Sequence, residues 1–285
     1  MRQRLRDLFA MVLVAVPALG WVPLNAQDSV PLSALSHVHG VAIDPDDADR
    51  FYLATHHGLY SASRDGIAQR ISANVDDFMG FTPHPREPGT YFASGHPANG
   101  GNLGFITSRD GGRTWRMLSP GADGPVDFHQ IAVSRADPRV IYGVYRTLQV
   151  SRDGGATWRT IGPPPAGLID LAASGRDPAT LFAATERGLL VSRDNGRSWA
   201  IVSIDRRPVS MVETSDEGDV FAYVIGYGLI RSASDGATWG FVGLPERDHH
   251  IVHFAARGAR YYAVTHSNRI FTSADSGQSW RRIGR

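Results

Sequence analysis

Eleven histidines and no cysteine set the chemistry that this 285-residue chain can offer. The histidines fall in groups: His37-Val38-His39, His56-His57, His96, His129, His249-His250 with His253, and His266, with His84 apart. Neutral imidazole is a preferred ligand for zinc, copper, nickel and iron, and it changes charge close to working pH. Two histidines at i and i+2 of a strand face the same side, so His37 and His39 can act together. His56 and His57 are adjacent and cannot both point inward, and of that pair His57 joins the candidate set. The candidate metal ligands are therefore His37, His39, His57, His96, His129, His250, His253 and His266, with His37, His39, His129 and His250 the best placed to face inward. Asp76, Asp77 and Asp127 would complete a mixed nitrogen and oxygen set, and Met79 is a soft thioether suited to copper. The expected cofactor is copper or zinc.

A second chemistry needs two carboxyls facing each other across a cleft, the arrangement that hydrolyses glycosidic bonds. Asp77, Asp127, Asp170 and Glu186 are the candidates. For two of these sites a structural reading stands beside the catalytic one: Asp170 as a cap for its own loop, and Asp76-Asp77 as a solvated pair.

The elements that must position these groups come from an internal repeat. Ser108-Arg109-Asp110-Gly111-Gly112-Arg113-Thr114-Trp115 returns at 151–158 and 192–199, and with changes at 232–239 and 273–280. A worn copy lies at 62–66, with Gln69 where the Trp belongs. The late glycines stand at 66, 112, 155, 196, 236 and 277, so the steps are 46, 43, 41, 40 and 41 residues. A period near forty, filled with strand-like segments, predicts a propeller. Ser and Asp side chains can hold the backbone of a hairpin turn, glycine supplies its left-handed position, and Trp packs between units. Aspartates copied once per repeat are architecture, because an active site is not copied with every unit.

Each unit reads as four strands. The second is aromatic and β-branched, as in Phe51-Tyr52-Leu53-Ala54-Thr55 or Tyr261-Tyr262-Ala263-Val264-Thr265, and turn residues bound every run. The expected fold is all-β: a six-bladed β-propeller of four-stranded antiparallel blades over residues 37–285, with a lead segment at 27–36. Residues 30–35 could add an edge strand at the ring seam. In such a blade the turn between strands two and three shares a face with the link into the next blade. Ten of the eleven histidines map to that face, opposite the repeated turns, and only His84 maps elsewhere. The glycine-rich loop at 95–102 is the longest excursion there, and it could act as a lid or recognition loop.

Composition narrows the setting. Twenty-nine basic against 28 acidic residues, with no basic stripe, make nucleic acid a poor partner. Residues 1–26 combine a basic start, a short Pro-broken apolar run and small residues before Gln27. That pattern predicts a secretory leader cut after Ala26, no membrane span in the mature chain, and a periplasmic or secreted protein. The absence of cysteine excludes thiol lipidation, disulfides and thiolate metal sites.

The repeats resemble those of the Asp-box (BNR) proteins across nearly the whole mature chain. That superfamily includes sialidases, xyloglucan-cleaving glycosidases, sortilin-type receptors and photosystem II assembly factors. The opening Ser36-His37-Val38-His39-Gly40-Val41-Ala42, with Ala54-Thr55-His56-His57-Gly58-Leu59, looks like small secreted bacterial propellers labelled glycosyl hydrolases. The resemblance implies a glycan, small-molecule or metal ligand on the histidine face, or a protein partner there. A sialidase-like site would clamp a carboxylate with three arginines beside a tyrosine and an acid/base carboxyl. Arg146, Arg187 and Arg269 hold equivalent turns in blades 3, 4 and 6, with Tyr227 in blade 5 and Glu186 beside Arg187. The Arg-Ile-Pro signature of sialidases is absent, and solvated turn arginines are the competing reading. The motif is specific for the fold and nearly silent on activity.

Overall fold

The computed structural model describes residues 29–202, 206–243, 245–246 and 249–284. The expected leader at 1–26 lies outside them. Strands arrange as six antiparallel sheets, five of four strands and one of five, so the six-bladed propeller holds. No helix among the described residues is long and apolar enough to cross a membrane.

The inner strands of the blades are Val38–Ile43, Asp77–Pro83, Gln130–Val133, Leu168–Ala173, Val209–Thr214 and Ile251–Arg257. Each packs beside the next, and the last returns to the first, so the ring closes around an axial tunnel. Apolar residues collect into six clusters, each filling the space between two neighbouring sheets. The second strand of a blade is therefore apolar on both faces, as Leu181–Thr185, buried throughout, shows.

The lead segment joins blade 1. Ser29–Pro31 forms the fifth strand, pairing Val30 with Ala68, and Leu32–Ala34 makes a 3-10 turn. Leu32 and Leu35 enter the cluster that joins blade 1 to blade 6, with Tyr262 and Ile283. Phe51 and Tyr262 meet there with ring centroids 4.4 Å apart. The Tyr262 hydroxyl donates to the Ala48 carbonyl across the same seam at 3.0 Å.

The repeated turn is a closed hydrogen-bond circuit. In blade 3 the Ser151 hydroxyl donates to Asp153 Oδ1 at 2.8 Å and accepts the Gly155 amide at 2.8 Å. Asp153 also accepts the Thr157 amide at 2.9 Å and the Thr157 hydroxyl at 2.6 Å. Gly155 has φ +93, and a Cβ there would lie 2.1 Å from the Phe105 ring. Trp158 donates to the Gly155 carbonyl and packs on Phe105 of blade 2 at 5.1 Å between centroids. In blade 5, Ser234 takes the aspartate's place and accepts the Thr238 amide at 2.9 Å.

Inside the ring, the inner strands of all six blades contribute to a cavity of 220 Å³ at the end near the repeated turns. Val41, Phe81, Ile131, Leu171 and Phe254 form apolar walls, and Arg135, Glu213 and Asp216 supply charge. His84 lines this end of the tunnel, away from the other described histidines.

Candidate metal centre

Three residues from blades 1 and 2 converge at the opposite mouth. His39 is the extra residue of a β-bulge: Val38 pairs with Thr55, Gly40 pairs with Ala54, and His39 is left between them. A bulge re-aims a side chain, and here it turns His39 toward the tunnel. His56 comes from the turn between the second and third strands, which Thr55 closes by donating from Oγ1 to the Gly58 carbonyl at 2.9 Å. Asp77 opens the inner strand of blade 2. His39 Nε2 lies 3.5 Å from Asp77 Oδ1, and His56 Nδ1 lies 3.2 Å from Asp77 Oδ2. One ligand atom from each of the three lies within 4.8 Å of the others.

A second group of the same composition joins blades 2 and 3. His96 ends the second strand of blade 2, and Asp127 and His129 lie on the approach to the inner strand of blade 3. His96 Nε2 is 3.0 Å from Asp127 Oδ2, and His129 Nε2 is 2.8 Å from the same oxygen. Their ligand atoms also lie within 4.8 Å of one another. Either His/Asp group could hold a metal ion. Two imidazoles and a carboxylate suit zinc, and also copper, nickel or iron.

The electrostatics differ between the two groups, holding His39 neutral and favouring the protonated form of His129. Burial, reinforced by His56, His253, His37 and His129, pushes His39 down to about 3, so its ring stays neutral. Burial raises Asp77, against the pull of His56 and His96. The hydrogen bond to Asp127 raises His129. Three buried polar atoms here lack any hydrogen-bond partner: His39 Nε2, Asp77 Oδ1 and Asp127 Oδ1. Leaving a buried polar atom unpaired costs about 1–3 kcal/mol.

The structure sorts the remaining histidines differently from the sequence expectation. Of the adjacent pair, His56 enters the cluster and His57 is exposed beside it. His37, in a left-handed conformation at φ 52, stands edge-on to His56 at 4.7 Å instead of facing the ion site with His39. The bulge breaks the i, i+2 alternation on which their pairing rested. His253 lies near His39 with a hydrogen bond to the Val38 backbone, and burial pushes it down to about 4. His250 and His266 stack face to face in blade 6, with centroids 4.1 Å apart and planes within 5°. His249 extends that column and hydrogen-bonds Ser267 at 2.9 Å. Stacked rings offer π faces, not converging lone pairs. Met79 lies two residues beyond Asp77 on the same strand and half-buried.

The residues of the expected three-arginine site make separate contacts. Arg269 Nη1 lies 2.7 Å from both oxygens of Glu246, which neutralises it. The exposed Arg146 sits over its neighbour Tyr145 at 5.1 Å. Arg187 and Glu186 are exposed on the turn of blade 4, and Tyr227 packs against Phe241 of its own blade. No hydrogen bond, ion pair or ring contact joins these five among the described residues. Asp170 does not cap its own loop alone: it accepts the Leu171 amide at 2.9 Å and the Val212 amide of blade 5 at 3.0 Å. The loop at 95–102 is tied down at two points. Asp76 accepts the Ala98 amide at 3.2 Å, and Asn102 donates to the Pro125 carbonyl at 2.9 Å.

Fold and site together define a six-bladed propeller with a His/Asp mouth. No family model matches the chain, and no curated protein matches it in sequence. Solved structures are similar in fold. A GH74 xyloglucanase from Xanthomonas campestris superposes with a TM-score of 0.60 at 18% identity over 89% of this chain. The chain spans about half of that enzyme, 46% of its length. A GH74 enzyme from Niastella koreensis gives 0.55 at 20% identity over 90% of this chain and 38% of its own. YCF48 bound to D1 peptide gives 0.53 at 16% identity over 94% of this chain and 87% of its own.

Proposed function

We propose that this is an exported propeller that binds a divalent transition metal, zinc or copper, at the His/Asp mouth and uses it to hold or activate a ligand there. The observation that carries the reading is the unpaired contact between His39 Nε2 and Asp77 Oδ1, buried and 3.5 Å apart. A neutral imidazole nitrogen and a carboxylate oxygen that face each other in a half-buried site without a hydrogen bond form a place that a cation can fill. His39, His56 and Asp77 would hold one ion, and His96, Asp127 and His129 offer the same set. A bound ion of this kind polarises a carbonyl or phosphoryl oxygen, or makes its bound water acidic. The resemblance to Asp-box proteins and the predicted leader support an exported protein acting on a glycan or peptide.

The test is metal content. Protein stripped by chelation and refilled with Zn²⁺ should take up metal stoichiometrically and gain thermal stability. Failure of the wild type to take up either Zn²⁺ or Cu²⁺ would end the reading. Glycoside hydrolysis is the second reading, with Asp77 and Asp127 as the two carboxyls at one mouth. Cleavage of a fluorogenic glycoside by the metal-free protein, lost in Asp77→Asn, would select it instead.

A further inference from the structure

We infer that the mouth is a dinuclear site: two ions side by side, with blade 2 giving one ligand to each. This rests on the metal reading above. Blade 2 supplies Asp77 to the first group and His96 to the second. These two are directly paired across neighbouring strands. Residues directly opposite in an antiparallel pair have Cβ atoms about 4.5–5.5 Å apart. Backbone pairing, and not a flexible loop, thus fixes the two groups as neighbours.

Each group is complete in the same way. Each has two imidazoles and one carboxylate drawn from two adjacent blades. Each also carries an unpaired buried carboxylate oxygen, Asp77 Oδ1 in the first and Asp127 Oδ1 in the second. A single ion in one group would leave the other orphan in place. The second group has an outer support as well. His96 Nδ1 lies 2.8 Å from the Gly101 carbonyl, which can only accept, so Nδ1 carries the proton and Nε2 is aimed at Asp127. Ligating histidines are oriented by this kind of backbone contact. It also gives the 95–102 loop a role, as the clamp on His96.

Three protein ligands per ion leave open positions on both, as in ion sites that bind exogenous ligands. Two divalent cations facing two aspartates and neutral imidazoles leave a net positive mouth. The ligand class that fits is an oxyanion bridging both ions, such as a phosphate group or a phosphoester.

The experiment is calorimetric titration of Zn²⁺ into the stripped full chain, with metal counted by mass spectrometry, then titration of inorganic phosphate. Two Zn²⁺ per chain are expected in the wild type and one each in His56→Ala and His129→Ala, with folding checked by circular dichroism. Phosphate binding should weaken at least tenfold in either one-ion variant. The Cu²⁺-loaded wild type should show a half-field paramagnetic resonance signal from coupled ions, and the variants should not. One ion in the wild type, or two ions without coupling, overturns the dinuclear inference and leaves the metal reading standing. Phosphate binding equally tight in the one-ion variants overturns the bridging ligand. No ion at all defeats both readings, and the wild-type stoichiometry does not depend on how any variant folds.

Discussion

The two faces of this propeller use aspartate in opposite ways. On the turn face, Asp153 accepts the Ser151 hydroxyl, the Thr157 amide and the Thr157 hydroxyl, all from within its own eight-residue repeat. At the other mouth, Asp77 and Asp127 each keep one buried oxygen unpaired, and their neighbours are imidazoles: His56 and His96 from other segments, and His129 two residues from Asp127. Saturated by local donors, the first kind of carboxylate holds a turn. The second kind has lone pairs to spare, and its position costs stability unless something binds. Residue type does not separate architecture from site here, whereas the saturation of the carboxylate oxygens does.

The sharpest way to break this contrast starts on the turn face. Trp158→Ala removes a buried ring packed between blades 2 and 3, and should cost about 3–5 kcal/mol in denaturant unfolding while leaving metal uptake per folded molecule unchanged. A loss of metal beyond the unfolded fraction would mean that the faces are coupled. At the mouth, Asp77→Asn should weaken Zn²⁺ binding by about 100-fold, roughly 2.7 kcal/mol, without destabilising the metal-free fold. If that variant instead unfolds the stripped protein, Asp77 is structural and the contrast fails.

The tunnel gives an intermediate case. Burial raises Glu213 from 4.5 to about 7. A raised folded value means that its contribution to stability is complete below the unfolded pKa of 4.5 and is lost as pH rises through about 7. Glu213→Gln should therefore flatten the stability profile, being on the order of 1–3 kcal/mol more stable than the wild type at pH 8 relative to pH 5. Unchanged pH dependence of the melting temperature would show that the carboxyl is solvated. The smallest effect belongs to Asp153→Ala, which loses exposed turn bonds at a cost of about 1 kcal/mol and should leave metal binding alone.

The comparison also explains what could be read early. The period near forty, the closed turn circuit and the strand order follow from residues close together in sequence, and the observed blades match them. The gathering of the histidines on the face away from the turns also follows from connectivity. Which of them share a centre does not. His39 was separated from His37 by a bulge that no local residue announces, although blades 4, 5 and 6 carry bulges at the same rank. An adjacent pair gives no cue as to which ring turns inward, so the sequence points to His57 where the fold uses His56. His250 and His266 share a rim with the others but stack on each other, since they extend two directly paired strands of blade 6. Glu213 carried no signal at all, because only the closed ring buries it.

The repeat by itself determined the architecture, since every turn is held by donors and acceptors within a few residues of one another. It also determined that nitrogen and oxygen, not sulfur, are the ligands on offer. The tertiary structure decided which lone pairs meet, through a bulge at His39, the pairing of Asp77 with His96 and the closure of blade 6 on blade 1. Coordination depends on directions and distances between strands far apart in the chain, and those exist only once the ring is closed.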